Sequence, residues 1–168
     1  MSGPDPEALL LRPAQREDSG LILRLIRELA EYERLSGEVV ATENGIAETL
    51  FGENPVPCCL LAFAGGEPAG FALFFRTYST FLGRPGLYLE DLFVRPAFRR
   101  RGIGRRLLAE LARIARDGNC GRLEWAVLDW NAPAIDFYRS LGAVAMDEWT
   151  VFRVTGAPLH RLADGAPS

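Results

Sequence analysis

Arg99-Arg100-Arg101-Gly102-Ile103-Gly104 joins a strand-like segment, Leu87 to Val94, to a strongly helical one. Glycine at 102 and 104 removes side chains where a backbone has to come close to something. A helix N-terminus offers unpaired N–H groups and a partial positive charge, which together suit a phosphate. Three consecutive arginines add fixed charge at the same mouth. The stretch reads as a pyrophosphate cradle, or else as a basic helix start that only faces solvent. A Walker A loop is excluded, and a dinucleotide fingerprint fits poorly. A Walker A loop needs Lys followed by Ser or Thr, and the chain has no Lys. A dinucleotide fingerprint needs a third glycine, and Leu107 stands in that place.

Working outward, the helix after the loop carries Ile103, Leu107, Leu108, Leu111 and Ile114 on one side and stops at Gly118. Before the loop, Cys58 to Ala64 and Ala69 to Phe75 are apolar runs around Gly65-Gly66, a hairpin signature. Tyr78 to Gly86 reads as a loop, and Leu87 to Val94 as the third strand of this group. Near the N-terminus, Ala8 to Arg12 reads as a strand. Asp18 or Ser19 then caps a helix with Leu21, Ile22, Leu25, Ile26 and Leu29 on one face. Thr42 caps a second helix through about Leu50. Beyond Gly118, Leu123 to Leu128 predicts a strand. Pro133 opens a short helix ended by Gly142, and Val151 to Val154 predicts a closing strand. The order is that of an α/β fold, a mixed sheet packed by helices. A single domain over 1–168 is expected, with residues 1–6 and 164–168 lacking order.

Composition narrows the function. A net charge of −3 argues against nucleic acid as the main partner, so the arginines near 100 are a local patch on a mildly acidic body. No apolar run is long enough to span a bilayer and no basic-then-apolar leader opens the chain, which points to the cytoplasm and away from a membrane. Cys58, Cys59 and Cys120 show neither metal spacing nor a disulfide framework and read as core filler. The single histidine, His160, lies in the closing segment, which leaves Ser/His/Asp and Cys/His chemistry without a base.

Glu90 and Asp91 interrupt an apolar strand, and simple alternation sends them to opposite faces. A carboxylate on a buried strand is costly unless paired or used. Glu90 is the candidate for function, and one of the two is a candidate for a structural bond to loop amides. Asn131 sits where a strand meets a helix and suits a helix cap, a ligand contact, or both. Tyr138 lies two helical turns on, as a core aromatic or as a working hydroxyl.

Tyr88 to Val94, the glycine loop, Ala126-Val127-Leu128-Asp129-Trp130-Asn131, Phe137-Tyr138 and Leu141-Gly142-Ala143 resemble the diamine acetyltransferase branch of the GNAT family. That branch holds the spermidine/spermine and thialysine N-acetyltransferases. Leu25 to Glu33 and Phe51 to Pro55 are similar to it as well. The resemblance implies a largely antiparallel central sheet flanked by helices and, usually, a homodimer. It implies acetyl-CoA as co-substrate and a primary amine of a small cationic molecule as acceptor.

By position, the resemblance implies that Leu92, Phe93 and Val94 pair with the pantetheine arm. Arg99, Arg100, Arg101, Gly102, Ile103, Gly104 and Arg105 would hold the pyrophosphate. Asn131, Ala132, Pro133 and Ala134 would touch the cofactor again. Tyr138 would be the proton donor. Tyr32, Glu33, Ser79, Glu90, Glu124, Trp125 and Ala126 match amine-binding positions. Polyamine-specific members tend to carry an acid where Ser79 stands, and Ala126 to Asp129 is closer to the thialysine type. The region after Ala143 is shorter than in those relatives. Two other functions stay open: an acyl-CoA sensor without turnover, and a protein N-terminal acetyltransferase.

Elementary chemistry limits the roles. A primary ammonium has a pKa of about 10.4, and a carboxylate of about 4.3 is some six units too weak to take its proton directly. Glu90 is therefore expected to orient the amine and a water that carries the proton outward. A free backbone N–H at a disrupted edge of the strand, around Leu92 to Val94, is expected to meet the thioester carbonyl oxygen.

Overall fold

The computed structural model describes residues 8–165. The expected disordered tails lie outside this range, apart from Asp164 and Gly165, which form a turn. The chain divides between Ala126 and Val127 into two compact units.

The first unit contains β1 (Leu9–Pro13), α1 (Ser19–Tyr32), α2 (Glu43–Phe51), β2 (Cys58–Ala64), β3 (Glu67–Ser79), β4 (Arg84–Val94), α3 (Ile103–Asp117) and β5 (Leu123–Trp125). The sheet runs in the order β1-β2-β3-β4-β5. Its first four strands are antiparallel, and β5 joins β4 in parallel. Thr42 caps α2 as expected, accepting from the Gly45 N–H at 3.1 Å. Asp18 precedes α1 but does not cap it. Its carboxylate takes two bonds from Arg12, at 2.7 and 2.9 Å, and one from the Gln15 N–H at 2.8 Å. Those bonds, the Arg12 pair first, hold its pKa below the usual range.

Alternation along the strands builds two apolar layers. Ile22, Leu25 and Leu29 of α1 and Ile46 and Leu50 of α2 pack with Cys59, Leu61, Phe71 and Phe93 of the sheet. Leu60, Ala62, Ala72, Leu87 and Leu89, which are also buried, alternate with that set. The buried stripe Ile103, Leu107, Leu108, Leu111 belongs to α3, which packs on β2 to β5. Ala115 completes that stripe in place of the expected Ile114. Phe71 is fully buried at the centre of the first layer, where truncation to alanine typically costs about 3–5 kcal/mol. Cys59 is core filler, and burial pushes its thiol up to about 12. Cys58 is exposed, contrary to the filler reading.

Three further expectations are corrected. Tyr78 to Gly86 is largely strand: Thr77 pairs with Gly86, Tyr78 with Pro85 and Ser79 with Arg84. The turn shrinks to the residues between them. β5 stops at Trp125 instead of Leu128, because its ladder with β4 ends at the Leu89–Trp125 pair. In the second unit, α4 (Ala132–Ser140) is as expected, but Val151 to Val154 forms no strand. A helix, α5 (Gly156–Ala163), follows it instead, with Pro158 in its first turn. Among the described residues no helix is long and apolar enough to cross a membrane.

Candidate functional site

The geometry of the site begins with a β-bulge. Leu73 of β3 pairs with Asp91, while the next residue, Phe74, pairs with Leu89. Glu90 is the extra residue between them and has no partner across the ladder. The bulge breaks simple alternation, so Glu90 and Asp91 are not merely on opposite faces. Asp91 lies on the side of Leu73 and Phe75, together with Tyr88, which pairs with Phe75. Glu90 is exposed at the kink. The parallel ladder with β5 ends one residue before the bulge. From Glu90 to Val94 that edge of β4 has no neighbouring strand among the described residues, an edge of the kind that an extended ligand can pair with, although the Val94 carbonyl already accepts from Arg99. The disruption thus falls at Glu90, slightly upstream of the Leu92 to Val94 stretch expected from sequence.

β4 leads through a short turn into the glycine loop and α3. Gly102 precedes the helix at φ +74°, a left-handed conformation that glycine adopts without strain. No side chain caps α3, and the first N–H paired to the loop is that of Arg106, to the Gly102 carbonyl at 3.0 Å. The N–H groups ahead of it lie at the positive end of a fifteen-residue helix. Arg100 also takes a left-handed φ of +63°, without being glycine. Arg100, Arg101 and Arg105 are exposed around this opening. Arg99 behaves differently. Its Nε donates to the Val94 carbonyl at 2.9 Å, and its guanidinium lies 4.5 Å from the centre of the Tyr32 ring.

Carboxylates gather on the sheet face next to the end of α1. Asp91 is pushed up to about 6, by burial first and then by the charges of Glu90 and Glu33. Glu33, at the end of α1, is itself raised by burial. Burial also raises Tyr88, with Glu90 and Glu124 adding to the effect. Glu90 and Glu33 thus act on Asp91, and Glu90 and Glu124 on Tyr88. Glu124 is partly compensated by Arg122 at 2.7 Å. Trp125 is half-buried and Ala126 exposed at the end of β5. Ser79 is only 4% exposed, and its Oγ accepts from the Leu82 N–H at 3.2 Å, closing the β3–β4 turn.

Sequence reasoning gives Tyr88 no role and reads Asp91 only as one half of an acidic pair, without the burial that sets it apart from Glu90. There is no phase to read there from sequence: after Leu87 and Leu89 the strand ends in a continuous apolar run, Leu92, Phe93 and Val94. The inserted residue is visible only in the ladder, where Leu73 pairs with Asp91 and Phe74 with Leu89.

The raised carboxyl of Asp91 has a consequence for stability. Its folded pKa of about 6 lies above the usual 3.8, so the folded chain holds that proton more tightly than the unfolded one. Its contribution therefore falls as pH rises from about 4 to about 6 and stays low above that range. Asp91→Asn is expected to stabilise the protein at pH 7.5, by no more than about 3 kcal/mol, and to change little at pH 4. Chemical denaturation at both pH values checks this. Equal effects at the two would assign the gain to something other than ionisation.

In the second unit, Asn131 is the N-cap of α4 and is only 6% exposed. Its Oδ1 accepts from the Ala134 N–H at 3.4 Å, so the capping reading holds. Ala132 and Pro133 are exposed in the first turn. Tyr138 is half-buried, with its ring centre 5.5 Å from that of Phe137. Val144, Met146, Trp149, Val151 and Phe152 are largely exposed.

Comparison with known proteins bears on the fold and the family. The acetyltransferase (GNAT) family model matches residues 21–143. A thialysine N-epsilon-acetyltransferase of Sus scrofa is 43% identical over 167 residues, covering 93% of this chain and 98% of that protein. An L-ornithine N5-acetyltransferase of Arabidopsis thaliana is 32% identical, covering 90% of this chain and 86% of that one. Among solved structures, an integron cassette protein from V. cholerae superimposes with a TM-score of 0.78 at 28% identity, covering 92% of this chain and 97% of its own.

Proposed function

The chain belongs to the GNAT acetyltransferase family, and from that premise we propose that it moves an acetyl group from acetyl-CoA to the side-chain amine of a small cationic amino acid. The observation that carries this reading is the group of carboxyls at the bulge in β4, exposed Glu90 and buried Asp91, with Glu33 acting on Asp91. A substrate with positive charge offsets both the burial that mainly raises Asp91 and the repulsion from Glu90 and Glu33 that adds to it. The similarity to thialysine and ornithine acetyltransferases supports the amino-acid class.

Several features support acetyl-CoA as the donor. The uncapped N–H groups of α3 and the surrounding arginines suit a pyrophosphate. The open edge of β4, at Leu92, Phe93 and Val94, suits the amides of a pantetheine arm. Bound there, acetyl-CoA supplies an activated acyl group on a good leaving thiolate. Glu90, exposed on the bulge, orients the amine and passes its proton to water. Asp91 and Glu33 hold positive charge elsewhere on the acceptor. In this reading the first turn of α4, from Asn131 to Ala134, makes a further cofactor contact, and Tyr138 gives a proton to the departing thiolate. The two units then act as a single acetyltransferase domain, since the family match runs across the boundary between them. We further propose a cytoplasmic homodimer in which the exposed apolar residues from Val144 to Phe152 meet a second copy.

An amine panel read by free-thiol release tests the acceptor class. Thialysine, ornithine and short diamines are expected to rival or exceed spermine in kcat/KM. Long polyamines need partners for their distal charges, and Ser79 is buried and offers none. The preference should weaken with salt where it rests on exposed Glu90, since screening acts within about 10 Å at 0.1 M. A strong, salt-insensitive preference for spermine or an uncharged aromatic amine would contradict this acceptor class.

A further inference from the structure

Two rungs tie α1 to the segment that enters the glycine loop. The first is a bidentate ion pair: Arg95 donates to both carboxylate oxygens of Glu28, at 2.7 and 2.8 Å, and also to the Pro68 carbonyl at 2.8 Å. The second is the Arg99 guanidinium, 4.5 Å from the centre of the Tyr32 ring and 5.9 Å from that of Phe93. Glu28 and Tyr32 are one helical turn apart on α1, and Arg95 and Arg99 are equally spaced along the loop segment. The rungs differ in kind. A fork of short charged hydrogen bonds fixes one geometry. A cation over a ring tolerates sliding and tilting. The first rung anchors the segment and the second can respond.

The second rung touches both halves of the proposed site. Arg99 opens the pyrophosphate loop, and Tyr32 precedes Glu33 at the acidic end of α1. We propose that Arg99 is a positioning residue that couples the two substrate sites through Tyr32. A pyrophosphate seated on the α3 terminus holds the loop, which fixes Arg99 over the ring and sets the end of α1 for the amine. Linkage makes the effect mutual, so the amine tightens the coenzyme by the same factor. The inference rests on the donor and acceptor assigned above. The contact is exposed, so its coupling is modest, on the order of two- to fivefold.

Calorimetry on the full chain tests it with CoA and thialysine, a pair that binds without reacting. The dissociation constant of CoA is measured with and without saturating thialysine, and their ratio is the coupling. The native chain is expected to give about two- to fivefold. Tyr32→Leu and Arg99→Gln are expected to bring the ratio to one. Tyr32→Phe, which keeps the ring face, is expected to retain it. A variant that merely loosens the site weakens CoA equally with and without amine and leaves the ratio unchanged. A native ratio of one, or a ratio that survives both Tyr32→Leu and Arg99→Gln, would overturn the proposal. Loss of CoA binding in the native chain would instead overturn the donor assignment.

Discussion

Gly104→Val is expected to weaken acetyl-CoA binding by roughly a hundredfold, as for the loss of one or two hydrogen bonds to a charged group. The argument starts from what glycine costs at this position. Gly104 lies inside α3 with no left-handed φ, so its backbone conformation does not require glycine. Glycine within a helix is about 1 kcal/mol worse than alanine. Close approach of a ligand to the uncapped N–H groups is the physical reason to keep it, because a branched Cβ would push a phosphate away from them. Thermal stability should hold or rise in Gly104→Val, which separates lost binding from lost folding. Arg100→Ala is the control. Its side chain is exposed, and an exposed charge contributes about 1 kcal/mol or less, a loss of about fivefold at most. Isothermal titration of both variants decides the matter. Equal losses would mean that side-chain charge holds the pyrophosphate.

The features that could be read from sequence are those with a strong local cause. Gly102 at φ +74° and the stripe Ile103, Leu107, Leu108, Leu111 stand where loop chemistry and helical period place them. Gly65 and Gly66, both at positive φ, turn the β2–β3 hairpin. The misplaced features have non-local causes. Tyr78, Ser79, Pro85 and Gly86 look like a loop, yet they pair because the long β3–β4 hairpin carries its register outward. Leu123 to Leu128 looks like one strand, but its length is set by where the bulge at Glu90 ends the parallel ladder. Val151 to Val154 has strand composition and no ladder among the described residues, because composition does not supply a partner edge. For the site, the acidic pair was legible and its division of labour was not. Burial and the neighbouring charge of Glu33 single out Asp91, and both depend on the fold.

Tyr138→Phe is expected to lower kcat by about a hundredfold to ten-thousandfold while leaving acetyl-CoA affinity within about twofold. The substitution keeps the ring beside Phe137 and removes only the hydroxyl, so packing in α4 is preserved. A thiol ordinarily titrates at about pH 8.5 and a phenol at about 10, so proton donation is uphill by roughly 2 kcal/mol in water. Positioning of the hydroxyl at the leaving sulfur can offset a gap of that size. Water is the competing donor, and it sets the floor of the effect. Rapid-mixing measurements of the acetyl-transfer step, with product release excluded, give the relevant rate. A poorer leaving group demands more from the acid, so the deficit should grow with the pKa of the departing thiol across a series of acyl thioesters. A deficit independent of that pKa would make Tyr138 a packing residue. An unchanged rate would remove it from the reaction.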